Sequence, residues 1–172
     1  KYITINGKKI RDIEAGDGPP LVLIHGLSLH QPAEQWVPHF DRLRSDRHLY
    51  ALDLPGWGLS EMPLDGYSFR MWIDVVDGFC DAMGLDELDL MGYSFGSWIA
   101  GLYTAENPGR VRRFISLHNP GLNRVVSQAH PANAVELPTF ETVLRYYGDE
   151  ELARKVYGDM DRPGRTEAHA SL

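Results

Sequence analysis

The most constraining stretch of this chain is Gly92-Tyr93-Ser94-Phe95-Gly96, a G-x-S-x-G pattern set between an apolar run and a helical one. Leu88-Asp89-Leu90-Met91, just before it, has the short apolar character of a buried strand. After it a helix is expected to continue to about Ala105, where Asn107-Pro108-Gly109 breaks it. A strand that turns straight into a helix through a serine strains the backbone and admits only small neighbours, which accounts for Gly92 and Gly96. The serine then stands at the carboxyl end of a strand and the amino end of a helix, where N–H groups favour developing negative charge. Alone the pattern is common, and an ordinary glycine-rich strand–helix turn is the plain alternative. With a strand before it and a helix after it, the pattern describes a nucleophile elbow and marks Ser94 as the nucleophile.

The other elements place this turn in a sheet. β-branched residues flank Asn6-Gly7, a dipeptide that accepts the positive φ angles of a type I′ hairpin. Leu21–Ile24, His48–Leu52 and Val111–Leu117 read as further strands, the first two buried on both faces. One helix is expected over Ala33–Leu43, with Trp36, Phe40 and Leu43 at helical spacing. Another carries Trp72, Val75, Val76, Phe79 and Met83 on one apolar face, with Ser68 as its cap and Gly84 near its end. Strands alternating with helices imply an α/β fold: a mostly parallel, doubly wound sheet with helices on both faces. Beyond Gly121 the sequence becomes charged and helix-rich, punctuated by Gly148, Gly158 and Pro163-Gly164.

Two further motifs fall at strand ends. His25-Gly26-Leu27 follows the first buried strand, and Asp53-Leu54-Pro55-Gly56-Trp57-Gly58-Leu59-Ser60 follows the second. Together with the elbow, in this order across residues 21 to 121, they resemble the α/β-hydrolase family. The resemblance implies that the backbone N–H groups of Leu27 and Phe95 form an oxyanion hole. His25 and Gly26 then support the loop, and Asp53 stabilises the turn after its strand instead of serving as triad acid. An oxyanion donor matters because the carbonyl oxygen becomes an alkoxide during attack, and losing one donor costs ~3 kcal/mol. The resemblance also divides the chain into a core, residues 1–121, and the start of a helical cap or lid, residues 122–172. Tyr93, Trp57 and His118 are candidate pocket residues. Phe140, Tyr146, Tyr147 and Tyr157 either line the same pocket or pack cap helices together. Haloalkane dehalogenases and epoxide hydrolases of this fold carry aspartate at the elbow; Ser94 in that place implies acyl chemistry.

A serine nucleophile needs a base, and the base needs an orienting acid. In this family they follow the nucleophile after two further strands, and no such strands precede Leu172. The acid and the histidine are therefore expected beyond Leu172, in a native polypeptide that continues. A chain that stopped here would leave Val111–Leu117 as an exposed apolar edge. Among the histidines present, His118 is the alternative base and His30 falls at the pocket mouth. His39, His48 and His130 read as solvated or packing residues, and His169 as a cap residue. Asn119 stands where some relatives carry the acid and is not a carboxylate.

The expected activity is hydrolysis of a carboxylic ester, a thioester or an activated carbon–carbon bond through a Ser94 acyl-enzyme. A non-catalytic ligand-binding relative and an acyltransferase are the alternatives. Composition narrows the partners: 24 acidic against 17 basic residues give a formal charge of −7, with no basic patch for nucleic acid or an anionic membrane. No apolar stretch is long enough to span a bilayer and no signal pattern opens the chain, so the cytoplasm is the default location. The one cysteine, Cys80, excludes a disulfide framework and reads as a buried structural thiol. Scattered histidines without a ligand spacing argue for no metal, and no cofactor is implied. The expected partner is a small-molecule acyl substrate, with a homodimer, or pairing through an exposed sheet edge, left open.

Overall fold

Asn6 and Gly7 take φ angles of 50° and 77°, the left-handed pair that a two-residue hairpin requires. The hairpin joins β1 (Tyr2–Ile5) to β2 (Lys8–Ala15), antiparallel, with Ile5 opposite Lys8. The structure, a computed structural model, describes residues 1–122 and 138–160. β2 pairs antiparallel with β4 (His48–Asp53), placing Arg11 opposite Asp53. From there β3 (Pro20–Ile24), β4, β5 (Leu88–Tyr93) and β6 (Val111–Leu117) run parallel, giving the order β1-β2-β4-β3-β5-β6. The result is the α/β class read from the sequence, with the antiparallel hairpin added at one edge.

The two faces of the sheet follow from strand alternation. Val22, Ile24, Leu52 and Leu90 point to one side, against Trp72, Val76 and Phe79 of α2 (Phe69–Ala82) and Ile99 and Tyr103 of α3 (Phe95–Glu106). Leu21, Leu23, Leu49 and Ala51 point to the other, against Ala33, Trp36 and Phe40. α2 starts where Ser68 Oγ accepts a hydrogen bond from Met71 N at 3.2 Å, and the chain leaves it through Gly84 at φ 64°. Cys80 is buried on the apolar face of α2, and burial pushes its thiol pKa up to about 11.

Two expectations are corrected. The segment 33–43 is not one α-helix but a 3₁₀ turn, Ala33–His39, followed by the single turn α1 (Phe40–Leu43). Pro38 inside the segment has no N–H to donate and crowds the preceding turn, while Trp36 and Phe40 still reach the sheet. Gly158, expected as punctuation, lies inside a helix: α4 (Phe140–Tyr147) ends at Gly148 with φ 65°, and α5 (Glu150–Met160) runs through Gly158.

α4 and α5 form a third small core. Val143, Tyr147, Ala153, Val156 and Met160 close around Leu29, from the loop that follows β3. The helix pair thus sits on that loop. At the far side of the sheet, β6 is an edge strand among the described residues, with Phe114 and Ile115 half-buried and Leu117 exposed. No described helix is long and apolar enough to cross a membrane.

Replacing Ser68 with alanine removes the α2 cap and is expected to cost about 1 kcal/mol. Urea unfolding followed by circular dichroism should show a lower midpoint at an unchanged slope.

Candidate active site

Ser94 holds a backbone conformation that L-residues rarely adopt, φ 52° and ψ −116°, a strain of roughly 1–3 kcal/mol. It is pinned on both sides. Its N–H donates to Leu117 O at 2.8 Å, and its carbonyl accepts from Ser97 N at 3.0 Å and Trp98 N at 3.2 Å. A Cβ on Gly92 would fall on the backbone of Gly96 and Ser97, so the turn closes only with glycine there. A Cβ on Gly96 would fall on the carbonyl oxygens of Ile24 and His25. The first turn of α3 therefore lies directly on the end of β3, and the elbow meets the His25-Gly26-Leu27 segment backbone to backbone. Ser94 is half-buried. Among the described residues no hydrogen bond engages its hydroxyl or the amides of Phe95 and Leu27.

The Leu27 loop is braced from beneath. His25 is fully buried; its Nε2 accepts from Leu54 N at 3.0 Å, which leaves the proton on Nδ1 to donate to Gly26 O at 2.7 Å. Both nitrogens are engaged in scaffolding. Gly26 N donates to Gln35 Oε1 at 3.0 Å, and Trp57 Nε1 donates to Leu27 O at 2.8 Å. A Cβ on Gly26 would crowd the Gln31 amide and the Tyr93 ring.

Under these residues lies Asp53, with no exposed surface. Its carboxylate accepts from Ala33 N at 2.7 Å, Leu59 N at 2.8 Å and Arg11 Nη1 at 2.9 Å. Gly58 is glycine because a Cβ there would strike that carboxylate. Ser60 Oγ donates to Asp53 O at 2.6 Å and accepts from Arg11 N at 2.7 Å. The Arg11 guanidinium also forks onto Glu34, at 2.8 and 2.6 Å. Burial opposes ionisation of Glu34, yet Arg11 and Lys155 overcome it and hold the carboxyl at about 2. Burial likewise opposes the charge on Arg11, and Glu34 and Asp53 outweigh it to leave the pKa raised. The sequence reading passed over Arg11 and Glu34. Each is an isolated charge with no motif around it, and the only signal was Glu34 standing amid the apolar residues of its segment.

The other sequence candidates separate into two groups. Tyr93 and His118 stay together at the carboxyl ends of β5 and β6, ring centroids 6.4 Å apart. His118 is exposed and takes φ 56°, and no hydrogen bond joins it to Ser94. Leu27 is 52% exposed. Trp57, expected near the pocket entrance, is instead fully buried among Phe95, Trp72 and His25, at centroid distances of 5.7, 6.0 and 5.3 Å. The indole fills the space under the loop, packed on His25 and Phe95 and hydrogen-bonded to Leu27 O.

Of the aromatics on α4 and α5, Phe140 and Tyr157 pack on each other at 5.6 Å. Tyr147 is buried, with its hydroxyl donating to His30 O at 2.9 Å. Tyr146 stays part-exposed and edge-on to the His30 ring at 5.1 Å. Burial lowers the His30 pKa. His48 stacks on Tyr50 at the opposite end of β4, and His39 is exposed. His130 and His169 lie outside the described residues. No group of three potential metal ligands gathers among the described residues. A groove of about 250 Å³, lined in part by Asn6, Lys8, Arg70 and Asp74, opens at the hairpin, and its Ser68 is already spent capping α2.

The family model for the alpha/beta hydrolase fold matches residues 19–150. The chain belongs to the α/β-hydrolase fold family. It is 31% identical over 170 residues to a 2-hydroxymuconate semialdehyde hydrolase of Pseudomonas sp. (strain CF600), covering 92% of this chain and 60% of that protein. It is also 31% identical over 123 residues to a haloalkane dehalogenase of Agrobacterium fabrum (strain C58 / ATCC 33970), covering 70% of this chain and 39% of that one. The crystal structure of a meta-cleavage product hydrolase superposes with a TM-score of 0.84 at 25% identity, over 100% of this chain and 68% of that one. The chain thus spans 60% of the length of the 2-hydroxymuconate semialdehyde hydrolase. In this α/β-hydrolase fold the elbow and both glycine-bearing loops stand at the carboxyl ends of parallel strands, where open α/β sheets bind ligands.

Gly96→Ala drives a methyl group into two carbonyl oxygens and is expected to destabilise the fold by about 1–3 kcal/mol, read by urea unfolding. The Glu34 carboxyl has a depressed folded-state pKa, so its stabilisation is complete above the unfolded value of ~4.3 and is lost as pH falls through about 2. The stability gap between the native protein and Glu34→Gln should therefore narrow as pH drops across that window, measured by urea titrations at stepped pH.

Proposed function

We propose that the protein is a serine hydrolase that opens a bond next to a carbonyl through an acyl intermediate on Ser94. The observation that carries this reading is the contact at Gly96, which sets the strained Ser94 turn against the His25-Gly26-Leu27 segment. Ser94 Oγ attacks the carbonyl carbon, and the amides of Leu27 and Phe95 receive the charge that develops on the carbonyl oxygen. The leaving group departs with a proton, and water then releases the acyl group from Ser94. The base is not His25, whose nitrogens both serve the loop. It is a histidine outside the described residues, oriented by a carboxylate that is also outside them, in the order nucleophile, acid, histidine. α4 and α5 belong to a cap, residues 122–172, standing over a core of residues 1–121 and shaping the acyl pocket.

The bond cleaved is an ester, a thioester or an activated carbon–carbon bond. The relatives named as 2-hydroxymuconate semialdehyde hydrolase and meta-cleavage product hydrolase favour the carbon–carbon member of that set and a small-molecule substrate.

The test is intact-mass analysis of the full-length protein before and after a fluorophosphonate probe. One adduct is expected, absent from Ser94→Ala, whose circular dichroism stays unchanged. Hydrolysis at an undiminished rate by Ser94→Ala, or an unlabelled native protein, would overturn the assignment.

A further inference from the structure

Three consecutive residues tie the Leu27 loop to the rest of the molecule. Ala33 N is bonded to Asp53, Glu34 takes the Arg11 fork, and Gln35 Oε1 holds Gly26 N. A shift of Glu34 therefore passes through Gln35 to Gly26 and the adjoining Leu27 amide.

The cluster beneath this tie does not balance its own charge. Arg11 contributes one positive charge, while Glu34 and Asp53 contribute two negative ones, with side chains 1% and 0% exposed. An uncompensated charge at that depth is costly. The missing positive charge comes from far along the chain, on α5, where Lys155 Nζ lies 2.9 Å from Glu34 Oε1. α5 is seated against the same loop, together with α4, by the Tyr147 hydroxyl on His30 O and by the apolar grip on Leu29. Among the described residues the cluster is neutral only when α5 is in place.

We propose that Lys155 is a positioning residue for the oxyanion loop: its contact with Glu34 neutralises the Arg11–Glu34–Asp53 cluster and so holds Gly26 and Leu27 in register with Ser94. Without it, an excess negative charge beneath the loop loosens the tie through Gln35. The same charge opposes the negative charge that develops at the Leu27 and Phe95 amides. The inference rests on the reading of Ser94 as the acyl-forming nucleophile.

The experiment is the second-order rate of Ser94 labelling by a fluorophosphonate in the full-length protein, whose phosphoryl oxygen occupies the same hole. Lys155→Met keeps the aliphatic stem and removes the charge, and labelling should slow about tenfold. Lys155→Arg restores the charge and should label within about twofold of the native rate. Glu34→Gln removes the excess negative charge at its source, so adding Lys155→Met to it should slow labelling no further, a coupling that a double-mutant cycle reads directly. A purely structural Lys155 would slow labelling equally with and without Glu34. That result, an unslowed Lys155→Met, or a Lys155→Arg as slow as Lys155→Met would overturn the proposal. Should Glu34→Gln fail to fold, the Met and Arg variants of Lys155 decide alone. A native protein that does not label at Ser94 at all would instead remove the proposed function.

Discussion

The Asp53 carboxylate is the point on which the site hangs. It ends β4, and its hydrogen bonds reach the start of the 3₁₀ turn at Ala33, the glycine-rich loop at Leu59 and the β2 strand at Arg11. Three segments far apart in sequence are thereby fixed to one buried anion. A buried carboxylate is tolerated only when its oxygens are well supplied with donors. Here the donors are chiefly backbone amides, whose placement depends on the chain path and not on side-chain identity. The path in turn depends on Gly58, since any larger residue would displace the carboxylate.

Much of this was legible in the sequence because it is written in residues with few alternative explanations. Glycines at 92 and 96 around a serine, between an apolar strand and a helix, specify a turn with no room for side chains, and the space goes to the main chain of Gly96, Ser97, Ile24 and His25. Short apolar runs located the strands, and a run buried on both faces serves one with Val22 and Ile24 and the other with Leu21 and Leu23. Asn6-Gly7 located the hairpin. These signals are local, and backbone sterics translate them directly into shape.

What was not legible depends on distance or on direction. Pro38 broke a helix that spacing alone predicts, because apolar periodicity reports which residues are buried and a 3₁₀ turn can bury the same ones. Trp57 reads as a candidate pocket residue, yet its motif fixes the loop and leaves open which way the indole turns. Arg11, Glu34 and Lys155 carry no pattern. Arg11 meets Asp53 through strand register, and Glu34 and Lys155 meet across 121 positions of chain. Charge pairing of this kind is visible only once the fold has brought the partners together.

The contact at Gly96 has a consequence for how this fold diversifies. Helix α3 and strand β3 touch there through main-chain atoms, so the spacing between the Ser94 turn and the His25-Gly26-Leu27 segment offers no side chain for selection to trim or enlarge. Variation has to be written elsewhere, in side chains such as Tyr93 and His118 and in α4 and α5, which pack around Leu29. The main-chain frame stays inherited while its surroundings vary, and the ion pair between Lys155 and Glu34 is where a drift of α5 would first be felt by it.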